Sequence, residues 1–163
     1  MPVAGVRLIL PREGAVAALA ARGTRPATAA DYDRHRLALG LPDGSRDLVP
    51  EKTLLLEAGF DRLGGIDFTK GCYVGQELTA RTRYRANIRK RLYRVAIDGP
   101  LPAPGTAVTR DGRSVGEMHS GAGDIGIALL RITEAEARSE SPLIAGDARL
   151  IPAISEAAST EPA

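Results

Sequence analysis

The chain has no tryptophan, only one cysteine and few aromatic residues, which make up 4% of its 163 positions. One cysteine cannot form an internal disulfide, and the sequence contains no C-x-x-C or clustered His/Cys pattern, so it predicts no metal site. No apolar run approaches the length of a membrane span, and the N-terminus lacks a charged stretch followed by an apolar one. These absences argue against a secreted or membrane protein, and we expect a cytoplasmic protein in a reducing compartment.

Aliphatic residues must supply the core. Hydrophobic residues make up 44% of the chain, and its length suffices for one ordinary domain or two small ones. The net charge is only +2, but residues 81–94 carry seven cations and no acid. Such a basic run attracts anions, among them the phosphates of nucleic acid. The alternative is a solvated connector between two domains, which fits most of its members.

The first half of the chain predicts helices and short extended segments. Alanine-rich residues before Gly23, and a stretch capped by Thr28 or Asp31 that ends at Gly40, indicate two helices. Proline, glycine and aspartate over 41–49 indicate a loop. In chain order we expect a strand over 3–10, helices over 12–22 and 28–39, a helical turn over 50–56, a turn over 59–65, an extended piece over 66–68 and a helix over 75–81.

The second half is predicted to be built from strands. Residues 91–97 alternate apolar and polar side chains, and Asp111-Gly112 separates two β-prone runs as a two-residue hairpin turn would. Several short strands separated by turns are typical of a small barrel or sandwich. The expected strands cover 91–97, 106–110, 113–118, 125–132 and 148–154.

The change of texture predicts a domain boundary near Asn87. Residues 1–86 are expected to form an α/β piece, and residues 88–154 a small barrel. Residues 155–163 are small and polar, so we expect a frayed, disordered tail.

The two histidines are not expected to take part in a site. His35 lies among charges on a predicted helix, His119 follows a predicted strand, and neither has a partner at ligand or triad spacing. Both are therefore predicted to be surface residues.

The lone cysteine lies in the segment Lys70–Glu77, which reads K-G-C-Y-V-G-Q-E. Gly71 and Gly75 permit positive φ and let another group approach the backbone closely. The helix predicted to start at Gly75 and the cation of Lys70 would both favour the thiolate of Cys72 over its thiol. The alternative is a small buried hydrophobe in a glycine turn, and the residues alone leave the two interpretations about even.

This octapeptide resembles the signature of the YgfZ-type folate-binding proteins of iron–sulfur cluster assembly, which are related to aminomethyltransferase, the glycine cleavage T-protein. All seven specified letters of K-G-C-Y-x-G-Q-E are present, and the flanking Pro50-Glu51, Gly65–Phe68, Ala80-Arg81 and Arg85 also match. Ala86 departs from the glycine usual in the family. The resemblance implies an α+β fold, in which a partial aminomethyltransferase-like folate-binding domain precedes a small antiparallel C-terminal β-barrel. Because family members are much longer, the chain resembles their C-terminal portion.

The resemblance also implies roles for individual residues. It places Lys70–Glu77 beside a folate cavity, with tetrahydrofolate or a related folate as cofactor and Cys72 as a redox-active or cluster-contacting thiol. Glu57 resembles the carboxylate that aminomethyltransferases present to the pterin, and its alternative is an exposed helix-end acid. Tyr73 packs on the pterin or, more simply, fills the core. The remaining expected site residues are Gln76 and Glu77, which orient the loop or are solvated, and Arg81 and Arg85, which pair with a folate carboxylate.

Three functions compete at this point. The first is a folate-binding accessory factor in iron–sulfur cluster assembly or repair. The second is an enzyme of the aminomethyltransferase type that moves a one-carbon unit to tetrahydrofolate, and the third is an RNA-binding factor in tRNA modification that uses residues 81–94. The cysteine favours the first, and the basic run offers only Tyr84 and Tyr93 for base stacking. The expected partners are folate, iron–sulfur client or assembly proteins and a separate N-terminal half of the fold, with no membrane.

Overall fold

The computed structural model describes residues 5–77, 79–80 and 88–154 of the chain, and its largest feature is a β-barrel. The strands are β1 (Lys90–Asp98), β2 (Ala107–Arg110), β3 (Arg113–Ala122), β4 (Ile125–Arg131), β5 (Leu143–Ala145) and β6 (Ala148–Pro152). All neighbours pair antiparallel in the order β1-β4-β3-β2-β5-β6, and β6 returns to β1 to close the barrel. The helices are α1 (Ala15–Ala20), α2 (Ala29–Ala38) and the single turn α3 (Ile132–Ala135) between β4 and β5.

The barrel interior is aliphatic, as the composition requires. On β1 the side chains of Tyr93, Val95 and Ile97 are buried while their neighbours face outward, which is the period of two expected for a sheet with one buried face. The same core includes Val108, Val115, Met118, Ala128, Leu130, Leu143, Ala145, Ala148 and Leu150. Burial of each large side chain contributes roughly 1.5–3 kcal/mol, so this cluster is the main source of the fold's stability.

The strand predictions for this half are confirmed, with two omissions. Asp111 and Gly112 have φ of 50° and 73°, the positive values that a tight hairpin turn of this kind needs. The sequence reading missed β5, which has only three residues, and the helical turn α3. A usable signal for β5 was the glycine-aspartate pair at Gly146-Asp147, which joins it to β6 as a two-residue loop.

Close packing between β3 and β4 depends on a glycine. A Cβ at Gly116 would lie 2.1 Å from the carbonyl oxygen of Leu129 and 2.8 Å from a methyl carbon of Leu130. The backbone oxygen belongs to a paired strand and cannot move aside without breaking the sheet pairing between Gly116 and Leu130.

Gly116→Ala is therefore expected to destabilise the fold by about 1–3 kcal/mol, the usual range for overpacking. Chemical denaturation would measure the free energy of unfolding. Gly44→Ala is the matched control, because a Cβ there meets nothing within 4 Å and its φ is not positive. An equal effect of the two substitutions would contradict the packing argument.

Tyr93 is the first buried residue of β1. Its hydroxyl donates a hydrogen bond to Glu136 Oε1 at 2.9 Å. Burial, with the hydrogen bond to Glu136, raises the pKa of Tyr93 to about 12. The folded protein thus holds this proton more tightly than the unfolded chain, whose tyrosines titrate near 10. Stability supplied by the protonated phenol is complete below that pH and is lost as the pH rises from about 10 to about 12.

A near-ultraviolet titration of tyrosinate should therefore resolve one tyrosine that ionises late. Tyr93→Phe should remove that step and leave the others unchanged. Loss of a different, earlier step in the variant would show that another tyrosine is the protected one.

Helix α2 and the turns around Glu57 and Asp61 contact the barrel. The predicted capping of α2 is confirmed, since Thr28 Oγ1 accepts from Asp31 N at 3.1 Å while Asp31 Oδ2 accepts from Thr28 N at 2.8 Å. Leu37 of α2 is fully buried, and α2 contacts β3 and β4. The ten-residue α2 is the longest described helix, and the described residues include no helix with the length and apolar character of a membrane span.

The strand expected over 3–10 is wrong for its described part. Residues 5–10 form no regular structure, and Val6 and Ile9 are 85% and 95% exposed. An apolar run becomes a strand only beside a free sheet edge, and every strand of the closed barrel already has two neighbours. The extended piece expected over 66–68 is likewise not assigned to a strand, and the described residues before 81 contain none.

Candidate functional site

Asp67 fixes the turn that leads into the cysteine segment. Its Oδ1 accepts hydrogen bonds from the backbone N–H and hydroxyl of Thr69, each at 2.8 Å, and from Lys70 N at 3.2 Å. The hydrogen bond from the Thr69 backbone, followed by the other two, lowers the pKa of Asp67. The sequence analysis gave Asp67 no role, although aspartate two residues before threonine is a signal for such a turn.

The far side of the segment is held by a short helical turn that includes residues 76, 77, 79 and 80. Tyr73 N donates to Gln76 Oε1 at 3.3 Å and Gln76 N donates to Tyr73 O at 3.2 Å, so Gln76 orients the loop. Thr79 Oγ1 donates to Gly75 O at 3.2 Å. Gly75 has the expected positive φ of 85°, whereas Gly71 does not adopt one. Glu77 is exposed.

Cys72 is exposed between these two fixed ends. The interpretation of Cys72 as a small buried hydrophobe is therefore excluded. Lys70 Nζ lies 4.8 Å from the centroid of the half-buried Tyr73 ring, within cation–π range. Val74, two residues after the thiol, is completely exposed. The segment thus presents a thiol, a cation and an apolar side chain to solvent.

A small apolar cleft adjoins the segment. It has a volume of about 180 Å³, below the range typical of pockets for a whole drug-sized ligand but enough for a ring-sized group. Tyr73 lines this cleft, and its ring also contacts Lys70 Nζ. It is half-buried and so is not a core residue. The lining residues are Thr53, Leu54, Leu55, Leu56, Tyr73, Val74, Gly75 and Thr79.

Glu57 lines a different cavity, of about 160 Å³, together with Lys52, Glu117 and His119. It is half-buried, and burial raises the pKa of its carboxyl group while the charge of Lys90 acts in the opposite direction. Its carbonyl oxygen accepts from Leu92 N at 2.8 Å, which ties this turn to β1. Glu57 is half-buried, so the alternative of an exposed helix-end acid is wrong, and the cavity that Glu57 lines is not the cleft lined by Tyr73, Val74 and Gly75.

His119 corrects the prediction that both histidines lie on the surface. His35 is exposed, but His119 is 8% exposed. The register of β3 against β4 shifts between Met118 and Gly121, and Met118, His119 and Ser120 are all buried. His119 Nε2 lies 3.3 Å from Glu117 Oε1 without hydrogen-bond geometry, and it has no other partner among the described residues.

The basic run can be followed only in part. Arg81 and Arg85 lie outside the described residues, so their expected contact with a folate carboxylate stays a prediction. Arg91 Nη2 lies 3.5 Å from Asp61 Oδ2, and Arg94 Nη1 donates to Ala38 O at 3.1 Å. These two arginines connect β1 to the preceding helices and turns, and Arg91, only 11% exposed, is not the solvated residue that the connector interpretation expected.

A buried polar network that the sequence analysis missed attaches residues 33–47 to the barrel. The Arg36 guanidinium donates to Asp47 Oδ2 at 2.9 Å and to Ser120 Oγ at 2.8 Å. Asp47 also accepts from Ser120 N at 2.8 Å and Asp43 N at 2.7 Å. The hydrophobic periodicity of the sequence assigns charged residues to the surface, because they are rarely buried unless they are paired. It therefore cannot predict this cluster.

The described residues contain no group of three or more histidine, cysteine or acidic side chains placed to hold a metal ion. Any metal at the thiol would therefore need ligands from outside the part of the chain that is described. Cysteine thiolate is nevertheless a ligand that iron–sulfur clusters use.

Comparison with known proteins matches the barrel to a family model and a larger part of the chain to iron–sulfur cluster assembly factors. Residues 89–160 match the family model of the C-terminal β-barrel domain of CAF17, and the closed six-stranded barrel fits that match. The mitochondrial iron-sulfur cluster assembly factor IBA57 of Mus musculus is 47% identical over 107 residues, which are 62% of this chain and 30% of the relative. The human protein of the same name is 48% identical over 105 residues, and the homologue from Pyricularia oryzae is 35% identical over 152 residues, 80% of this chain.

These matches span only part of the relatives, between 30% and 39% of their length for the mouse and Pyricularia proteins. They also overturn one expectation. The relatives are named as mitochondrial proteins, so the cytoplasmic location expected from the sequence is wrong on this comparison.

Proposed function

We propose that this chain is a folate-binding member of the CAF17/YgfZ family that acts in iron–sulfur cluster assembly, with Cys72 as its functional thiol. The observation that carries the proposal is the exposed thiol in K-G-C-Y-V-G-Q-E, held between two fixed turns. The barrel match and the names of the relatives support the same process.

The geometry around Cys72 suits transient contact with a cluster or a client protein. The side chains of Asp67 and Gln76 hold the backbone on either side, so the thiol is presented by an ordered loop without being buried. A single cysteine supplies one of the four ligands that an iron–sulfur cluster takes. The remaining ligands would come from a client or assembly protein, which makes such proteins the expected partners.

Glu57 is the proposed folate contact. A carboxylate can accept two N–H bonds from the edge of a pterin, and a half-buried one forms stronger bonds than an exposed one. Because the chain spans about a third of the relatives' length, calorimetric titration with tetrahydrofolate should compare this chain with a form extended to their length. We expect weak or absent binding by the first and clear binding by the second. Equal affinity would show that the added part is not required.

Glu57→Gln in the extended form tests the residue itself. The amide keeps the shape but loses the charge, so tetrahydrofolate affinity should fall. Glu51→Gln is the control, because Glu51 is exposed and precedes the same turns. Unchanged affinity in Glu57→Gln would remove Glu57 from the proposed site.

The function is tested by a chimera in cells that lack the human relative. This chain replaces the matching third of that relative, and the activities and cluster content of iron–sulfur enzymes are measured. Restoration is expected. A chimera that accumulates normally and leaves those enzymes without clusters would overturn the proposal.

A further inference from the structure

We propose that the seam between α2 and the barrel holds a binding site for a small organic oxyanion, meaning a phosphate or carboxylate group attached to an apolar body. A cavity of about 450 Å³ lies there, inside the usual range for ligand pockets. Its walls come from the end of α2, from the turns over 58–63, from β1 and from residues 153–154. The inference is independent of the proposed function, because neither Cys72 nor Glu57 lines this cavity.

The charge that lines the cavity has one sign. Arg62, Arg91 and Arg94 are its charged lining residues in the described part of the chain. Guanidinium groups present several N–H donors in a planar fork that matches carboxylate and phosphate oxygens. Three arginines line one cavity, so an anion bound there would be attracted by all three positive charges.

The arginines keep donors that the fold does not use. Arg91 is only 11% exposed, its contact with Asp61 is long at 3.5 Å, and its Nε is buried without a hydrogen-bond partner among the described residues. The Nε atom of Arg91 is itself enclosed, so the donors that can meet an incoming oxygen atom are those of the exposed Arg62 and Arg94. Arg94 commits Nη1 to Ala38 O, and the rest of its side chain is exposed.

Two carboxylates lie near the cavity wall. Asp61 contacts Arg91, and Glu136 accepts from the Tyr93 hydroxyl. Neither lines the cavity. Tyr93 lines the cavity together with Arg62 and Arg91.

The rest of the cavity is apolar. Leu39, Leu63 and Leu92 lie on three different segments and all line it. An apolar group attached to the anion would therefore be removed from water, at roughly 25 cal/mol for each Å² buried. A bare inorganic ion would forgo that contribution, which is why the ligand is expected to have an organic body.

Calorimetric titration of the full chain at low salt tests the site with three probes. Phenyl phosphate and benzoate carry the two oxyanions on one kind of apolar body, and benzyl alcohol carries the body without the charge. We expect binding of phenyl phosphate, benzoate or both, weakened by salt, and no measurable binding of benzyl alcohol. The stronger of the two anions identifies which oxyanion the site prefers.

Arg62→Gln should weaken that binding about tenfold or more, as loss of a charge-assisted hydrogen bond does. Arg62 is exposed, so its replacement should leave the unfolding transition unchanged. Arg113→Gln removes the same charge from an exposed residue that does not line the cavity, and it should bind like the wild type. Absence of binding by both anions at millimolar concentration, equal binding of benzyl alcohol, or equal loss in Arg62→Gln and Arg113→Gln would overturn the inference.

Discussion

Asp47→Ala is expected to lower the free energy of unfolding by about 3–5 kcal/mol, the range for removing one partner of a buried ion pair. The side chains of Arg36 and Asp47 are 4% and 0% exposed, and Asp47 accepts four hydrogen bonds from Arg36, Asp43 and Ser120. Alanine would leave the Arg36 charge with less compensation and would orphan the N–H groups of Asp43 and Ser120. Urea denaturation followed by circular dichroism measures the effect.

The control is an ion pair with the same chemistry on the surface. Arg34 and Asp124 approach to 2.8 Å, but their side chains are 58% and 72% exposed. Asp124→Ala should therefore change the free energy of unfolding far less than Asp47→Ala, because exposed ion pairs contribute little. If both substitutions cost the same, the buried network would not be what attaches residues 33–47 to β3.

Cys72→Ala is expected to abolish function while leaving the fold intact. The side chain is exposed, so the free energy of unfolding should stay within about 0.5 kcal/mol of the wild type. In the chimera described above, iron–sulfur enzyme activities should fall to the level of cells that lack the factor, because no other thiol in this chain can replace it. A thiol reagent should modify the native chain about as fast as the unfolded one.

Val74→Ala is the matched control for the thiol. Val74 is fully exposed two residues from Cys72, and its replacement keeps the sulfur and the backbone turns. That variant should retain function. Full restoration by Cys72→Ala would remove the thiol from the mechanism and leave the family assignment to stand on the barrel and the relatives alone.

The barrel could be predicted from the sequence because its information is local. Alternation on β1 predicts a strand, and the Asp111-Gly112 turn predicts the pairing of β2 with β3, both from neighbouring residues alone. The first half could not be predicted as well. Residues 5–10 have the composition of a strand, but whether they form one depends on a neighbour, and the closed barrel offers them none.

The candidate site was predicted in part for a similar reason. The motif Lys70–Glu77 pointed to Cys72, which is exposed. Gln76 was expected either to orient the loop or to be solvated, and its hydrogen bond with Tyr73 N fits the first of these. The burial of His119 and Ser120 could not be predicted, because the residues around them include several from positions 36–57, far away in the sequence. The sequence analysis also missed the pairing of Arg36 with Asp47, which joins residues eleven positions apart through tertiary packing.

The hydrogen bond from Leu92 N to the Glu57 carbonyl oxygen connects the barrel to the part of the chain that precedes Cys72. It joins β1 to the backbone a short distance ahead of the thiol, and the contact of Arg91 with Asp61 anchors the same stretch a second time. We therefore expect that a destabilising substitution inside the barrel can also affect the position of Cys72, although it makes no contact with the thiol. Substitutions in the barrel should accordingly be judged by their effect on these two contacts as well as by their distance from Cys72.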